Sequence, residues 1–407
     1  MSVRGRIVSS LSDSAFSALA TFSAGAFAVR HLPDPGVALF SLCLTSWIIG
    51  ATFPRSLVLI PLEVQVNRSS HGALPALRST VATARWTLAL AAVVTACGGL
   101  PALAVTPVLG FVLMSTTAAA AAVGTAMLTH LRASMHIAGR HEQAGLTSFL
   151  STSFTLCVLL IGHLLPRGPL DYALPFGALA LGQLMGIPSW RRAKRKCSVI
   201  EAGPLPPLRD RAFMLTQGII AQLSIYLQTT MIVQLLGVSE SAHLEGARVA
   251  ASPVFLLANS LSWILFPGLV RAIGSGATST VVVKLSQRMG LLIATGLTYS
   301  AALLIAGGHV STLFGRPIDS LLAATRAASF ATEGAANAQL SFFVALDQYR
   351  RPAVLSAVGA TLSLTTTFVF LGIWGIFAVP AGQAASTIFQ MITGVTLIAR
   401  SLKKRVG

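Results

Sequence analysis

Residues 47–65 read WIIGATFPRSLVLIPLEVQ, an apolar run of membrane-spanning length with an arginine inside it. A bilayer span needs about 20 predominantly apolar residues. A guanidinium at mid-membrane costs about 3 kcal/mol on insertion scales and more by other estimates. Arg55 therefore either reaches for an interface or is set in a polar interior, and what the rest of the chain builds has to decide.

The same character runs through all 407 residues. Hydrophobic side chains make up 54% and charged ones 10%, against about 25% charged in a soluble domain. Mean hydropathy is +0.75. The composition is that of an all-α polytopic membrane protein. Twelve apolar stretches can be counted, near 8–29, 37–61, 82–103, 108–129, 145–165, 171–190, 212–236, 249–270, 287–307, 320–345, 353–372 and 376–399. The loops assigned inside by that count hold 23 of the 29 Lys and Arg residues. The outer ends and loops hold Arg30, Arg167, Arg248 and Arg316, while Arg55 and Arg326 fall within spans. Basic residues concentrate on the cytoplasmic side of membrane proteins, so the alternation predicts twelve helices with both termini in the cytoplasm. It also accounts for the net charge of +17 without nucleic acid as a partner. Basic loops instead attract anionic headgroups of the surrounding lipids.

The longest connection, RRAKRKCSVIEAGPLPPLRDR, is basic and proline-rich and lies at mid-chain. It predicts an N-terminal half over 1–196, a linker over 197–210 and a C-terminal half over 211–407. Two pairs of segments support a repeat. AVRHLPDPGVALFSL after the first span matches IVQLLGVSESAHLEGARV after the seventh, and VLIPLEV matches ILFPGLV at the ends of spans two and eight. The N-terminus resembles a signal peptide with AFA at 26–28, but Asp13 and several serines interrupt the apolar stretch.

Polar residues within spans fall on defined helical faces. Span one carries Ser10, Asp13, Ser17 and Thr21; span seven Gln217, Ser224 and Gln228; span ten Arg326, Glu333 and Asn337; span twelve Gln383, Thr387 and Gln390. Such faces line a water-filled cavity or join helices by hydrogen bonds. Glu333 with Arg326 points to a cavity or a buried pair, and Asp13 fits either reading. Arg55 follows Pro54, and a proline in a span frees a carbonyl that protein or cavity water must satisfy. Snorkelling to the interface and cavity lining both remain open for Arg55. A cavity holding Arg55, Arg248, Arg30 and Arg326 is cationic, and the planar fork of arginine suits phosphate.

Signals of enzymatic chemistry are missing. No GxxxxGK[ST] loop occurs, HEQAG at 141–145 is not a zinc-protease motif, and the four cysteines are scattered singly. NRS at 67–69 matches a glycosylation acceptor but falls on the inside. No cofactor or metal is expected.

Several stretches resemble the polysaccharide-exporter branch of the multidrug/oligosaccharidyl-lipid/polysaccharide flippase superfamily, the O-antigen and teichoic-acid type. They are AVRHLPDPGVALFSL, HLRASMHIAGRHEQA, GARVAASPVFLLANSLSWILFPGLV, LFGRPIDSLL and GIWGIFAVPAGQAAS. The resemblance covers essentially the whole chain. It implies a MATE-like fold of two six-helix bundles around a central cavity. It also implies a secondary transporter of the bacterial cytoplasmic membrane that flips a polyprenyl-pyrophosphate-linked oligosaccharide or repeat unit, alongside glycan-assembly enzymes. Arg55 and Arg248 sit where such flippases carry arginines for the pyrophosphate, with Arg30 and Arg326 as further candidates. Gln217, Gln228, Gln383 and Gln390 are candidates for sugar contacts, and Glu333 and Asp13 for ion coupling. A drug/cation antiporter of the same fold wants net acidic groups in its cavity, where arginines here match the acids. A membrane glycosyltransferase or polymerase wants a large outer loop, and no loop here is large.

Overall fold

The computed structural model describes residues 3–61, 77–137, 140–185, 207–274, 278–346 and 348–406. Arg68, the RRAKRK run, the NRS acceptor, Cys197 and most of the expected linker lie outside the described residues. Among the described residues, twelve principal helices follow the twelve apolar stretches. They are α1 Val3–His31, α2 Asp34–Pro54, α3 Leu77–Cys97, α4 Val108–Ile137, α5 His141–Leu164, α6 Leu174–Leu184, α7 Leu208–Leu235, α8 Val238–Gly274, α9 Thr278–Ile305, α10 Ser320–Ala345, α11 Arg350–Trp374 and α12 Ala378–Val406. A short helix, Gly307–Phe314, joins α9 to α10 and ends on Gly315 in the left-handed region at φ 60°, where a Cβ is disfavoured. Among the described residues no strand occurs.

Local chemistry sets these ends. Pro35 and Pro175 open α2 and α6, where a missing N–H costs nothing. The Asp319 carboxylate caps α10, accepting from the amides of Leu321 at 2.8 Å and Leu322 at 3.0 Å. After Pro54 the second helix loosens into a π turn over Arg55–Leu59, since the proline ring supplies no N–H to the preceding turn. Helix α8 runs 37 residues, about 55 Å at 1.5 Å per residue. Its start at Val238 corrects the expected start at 249: VSESAHLEGAR contains no proline, and charge rather than helix propensity ended the apolar window. Arg248 accordingly lies well inside α8.

The chain divides into two compact units, Met1–Pro206 with Thr229–Glu245, and Pro207–Gln228 with Gly246–Gly407. In the first, α1 packs on α5, α2 on α3 and α4, and α6 on α4 and α5. In the second, α10 packs on α9 and α12, and α11 on α12. Both units expose large apolar side chains and bury polar ones within a mostly apolar interior. Leu160, Ile161, Phe368, Ile373 and Ile392 are exposed, while Thr147, Ser148, Thr155, Ser363 and Thr367 are buried. The apolar exterior suits a lipid surround. Six stretches among the described residues are long and apolar enough to cross a membrane, including Asp34–Leu59, Val108–Arg132 and the helix pair within Arg350–Ser401. α6 and the end of α3 carry shorter apolar windows.

Just beyond the end of the first span, His31 Nε2 meets His163 Nδ1 at 3.0 Å, joining α1 to α5. Burial, Arg167, His163 and Arg30 push the His31 pKa down to about 4, with Asp171 opposing them. One ring donates and the other accepts, which requires at least one of them to be neutral. Because the folded-state pKa of His31 lies below the ordinary value of 6.5, its burial in the neutral form contributes fully to stability above about pH 6.5, and that contribution is lost as pH falls through about 4. The melting temperature of detergent-purified protein is expected to fall between pH 7 and 4. His31→Gln should reduce that fall; an unchanged fall would place the acid-sensitive contact elsewhere.

Candidate functional site

Among the described residues each unit holds a buried polar cluster built around an arginine. In the first unit Asp13 on α1 is 1% exposed and faces Arg132 on α4. Arg132 Nε reaches Asp13 Oδ1 at 2.7 Å and Nη2 reaches Oδ2 at 2.8 Å, a paired fork. Arg132 Nη1 donates to Ser17 Oγ at 3.1 Å, and Ser148 Oγ on α5 also donates to Asp13. The carboxylate is thus held by three donors from two neighbouring helices, the arrangement a buried charge requires. Beside it lies a cavity of about 40 Å³, walled by Ser17, Thr21, Trp47, Thr125, Arg132 and Gln183 among others.

In the second unit Arg326 on α10 is 2% exposed. Its Nη1 donates to Gln383 Oε1 on α12, and its guanidinium stacks over Phe330 at 5.1 Å. Gln383 Nε2 donates to Gln228 Oε1 on α7 at 3.2 Å. Gln228, fully buried, in turn donates to Ser363 Oγ at 2.8 Å and Thr367 Oγ1 at 2.7 Å on α11. Four helices thereby converge on one guanidinium and two carboxamides. Glu333 stands two turns along α10, about 10 Å by helix rise, and acts on Arg326 through its charge.

The two clusters share a frame. Gly182 on α6 lies against Ser151 and Thr155 of α5, and Thr155 Oγ1 donates to Ser151 O and Ala178 O. Gly382 on α12 lies against Ser363 and Thr367 of α11, and Thr367 Oγ1 donates to Ala378 O. Each glycine is followed by a glutamine that turns into its cluster: Gln183 to Thr125 on α4, Gln383 to Arg326. The repeated pattern is Ser-x3-Thr on one helix and Ala-x3-Gly-Gln on the next.

Of the residues expected from the sequence, the structure brings Arg326, Gln228 and Gln383 together and places Asp13 in the first cluster. Gln217 is half-buried on α7. Gln390 bonds along its own helix to Ser386 Oγ at 3.3 Å and packs on Gly359 of α11. Arg55 heads the π turn with an exposed side chain, Arg30 is exposed at the end of α1, and Arg248 is half-buried. The sequence reading missed Arg132, Gln183 and Glu245. Glu245 is 1% exposed and accepts from Ser41 Oγ at 2.7 Å. Ser41 and Glu245 are each the eighth residue of their helices, α2 and α8, within the first pair of repeat segments noted above. Among the described residues no three His, Cys, Asp or Glu side chains gather as a metal site.

No protein-family model and no curated protein matches the sequence. Solved structures do match, over nearly the whole chain. A mutant of the Vibrio cholerae MATE transporter VcmN shares 14% identity at a TM-score of 0.71, covering 98% of this chain and 97% of that one. An outward-facing multidrug resistance MATE family transporter of the MOP superfamily gives 12% and 0.70 over 98% and 96%. A Pyrococcus furiosus MOP superfamily transporter, described as having a binding pocket of reverse polarity that suggests a different function, gives 13% and 0.70 over 97% and 94%. The fold is therefore MATE-like.

A Cβ at position 182 or 382 would press into the facing threonine hydroxyl and a carbonyl 2.5 Å away. Overpacking of this kind costs about 1–3 kcal/mol. Gly182→Leu and Gly382→Leu are each expected to cut the yield of monodisperse protein on size exclusion, whereas Gly372→Leu, with open space around it, should not. Asp13→Ala leaves the partly buried Arg132 without its carboxylate, a loss of about 1–3 kcal/mol. It should lower the melting temperature, and Asp13→Ala with Arg132→Ala should lower it less; equal losses would remove the pair as the cause.

Proposed function

We propose that the chain is a secondary transporter of the bacterial cytoplasmic membrane that flips a polyprenyl-pyrophosphate-linked oligosaccharide or polysaccharide repeat unit by alternating access. One observation carries the reading: Arg326, a guanidinium 2% exposed, donates to the Gln383 carboxamide, which is joined through Gln228 to the Ser363 and Thr367 hydroxyls. A guanidinium suits phosphate oxygens, and carboxamides suit sugar hydroxyls, since each donates and accepts. In the first unit the buried carboxylate of Asp13 is matched by Arg132, which leaves it poorly suited to hold a free organic cation. The reading draws support from the Pyrococcus furiosus transporter of similar fold, whose binding pocket is described as of reverse polarity. Arg55, Arg248 and Arg30 would add cationic character along the route, and membrane lipids and glycan-assembly enzymes would be the partners.

Drug/cation antiport is the second reading. It draws on Glu333, a partly buried carboxylate on α10, and on the multidrug resistance transporter among the similar structures. Membrane glycosyl transfer finds no support in the fold.

In a deletion strain that accumulates the lipid-linked glycan, Arg326→Ala should restore export at least about tenfold less well than wild type, as loss of a charge-assisted contact predicts. Arg326→Lys should restore it in part. Full activity of Arg326→Ala would remove this residue from the substrate path. If Glu333 couples transport to protons, Glu333→Gln should abolish the pH dependence of transport; an unchanged profile would exclude it.

A further inference from the structure

Only four of the 29 Lys and Arg residues lie at the ends and loops that the basic bias assigns to the outside, and two of them gather at one point of the first unit. Arg30 lies in the last turn of α1 beside His31, and Arg167 follows His163, which lies in the last turn of α5. The imidazoles tie the two ends together, His31 Nε2 meeting His163 Nδ1 at 3.0 Å. Arg167, His163 and Arg30 all act on His31 through their charge. Arg30, His163 and Arg167 are exposed and His31 is half-buried, so the group is open to a ligand. Its acid, Asp171, is buried and accepts from the Gly168 amide at 3.2 Å. It stands 3.9 Å from Arg167, beyond hydrogen-bond distance. Part of the positive charge answers the carbonyl end of α1, but Arg167 lies three residues past α5.

A pair of imidazoles first suggests a metal ion. Among the described residues no three His, Cys, Asp or Glu side chains gather to hold one. The arginines that oppose a proton on His31 also oppose any other cation, and they favour an anion for the same reason. A guanidinium fork matches phosphate oxygens. Two neutral imidazoles that share one hydrogen bond still present a further N–H, because the ring that accepts at one nitrogen carries its proton on the other. The neighbouring surface indicates what carries the phosphate. Leu160, Ile161, Leu164 and Leu165, at the end of α5, are each more than half exposed. Leu160 and Leu164 share a helical face with His163. A free phosphate gains nothing from that surface, whereas a phospholipid can lay its chains along it with its headgroup at the helix ends. We propose that Arg30, Arg167 and the His31–His163 pair bind the phosphate of an anionic phospholipid where α1 and α5 end, with the lipid chains along Leu160 and Leu164. The site requires only that the chain spans a membrane, and holds for either cargo considered above.

The test uses the full chain in neutral detergent, titrated with phosphatidylglycerol while native mass spectrometry counts the lipids bound. Arg30→Gln with Arg167→Gln leaves the basic inner loops unchanged, so a loss reports this site alone. The double variant is expected to hold one tightly bound phosphatidylglycerol fewer than wild type, that lipid binding at least about tenfold more weakly, as the loss of two basic residues at a membrane surface predicts. Phosphatidylcholine, whose ammonium cancels the charge, should bind both proteins alike. Arg30→Lys with Arg167→Lys should keep most of the affinity. Size exclusion and melting temperature would show that the variants are folded. Should the double variant fail to fold, Arg167→Gln alone carries the test, with a loss of about fivefold. Equal phosphatidylglycerol binding by wild type and variant would overturn the proposal. Glycerol 1-phosphate, which has the headgroup phosphate without the chains, should not raise the melting temperature. Stabilisation by it that is lost in the double variant would assign the cluster to a soluble phosphate and overturn the lipid as its occupant.

Discussion

A guanidinium inside a membrane protein must be held by the protein, because hydrocarbon supplies no hydrogen-bond acceptor. Much of this structure follows from how two arginines meet that requirement. Arg132 is neutralised by Asp13 in a two-pronged pair that ties α4 to α1, with Ser148 joining α5. Arg326 is held by a carboxamide, Gln383, which ties α10 to α12. The first solution cancels the charge. The second holds the guanidinium at the end of a chain of carboxamides and hydroxyls, with Glu333 two turns along the same helix. The two units thus hold a guanidinium in different ways within the same frame.

The frame itself is simple. A glycine on one helix lets the next approach closely enough for Thr155 or Thr367 to bond across to Ala178 or Ala378. The following residue, Gln183 or Gln383, is thereby delivered into the polar interior. Small residues at helix crossings serve this purpose in membranes, where lipid gives no hydrophobic drive for association. What differs between the units is the partner of that glutamine: Gln183 donates to Thr125, whereas Gln383 accepts from Arg326.

The fold was largely legible in the sequence. Apolar windows and the basic bias of alternate loops marked twelve helices, and polar faces marked Asp13, Gln228, Arg326 and Gln383 as interior residues. The misses share a cause. Hydropathy windows stop where charge begins, but helices do not. The fourth window ended at 129 while α4 continues to Ile137, so Arg132 read as a loop residue instead of the partner of Asp13. The eighth window began at 249 while α8 begins at Val238, which hid Glu245. A buried carboxylate on α1 without an acknowledged cation was the signal that could have found Arg132. The Ala-x3-Gly-Gln repeat was also present in the sequence. It is hard to see by alignment because the α5–α6 connection is longer than that between α11 and α12, so no single shift superposes both motifs. The charge state and packing of Arg55 follow from no pattern in the sequence, and in the structure it heads a π turn with its side chain exposed.

The most direct measurement is translocation by the purified protein in liposomes. A fluorescent polyprenyl-pyrophosphate-linked glycan would be placed in both leaflets, and a membrane-impermeant quencher would report how much reaches the outer face over time. The account predicts transfer well above protein-free liposomes and much reduced by Arg326→Ala. Background transfer of the glycan lipid, together with uptake of a cationic dye driven by a pH gradient, would contradict it and establish antiport instead.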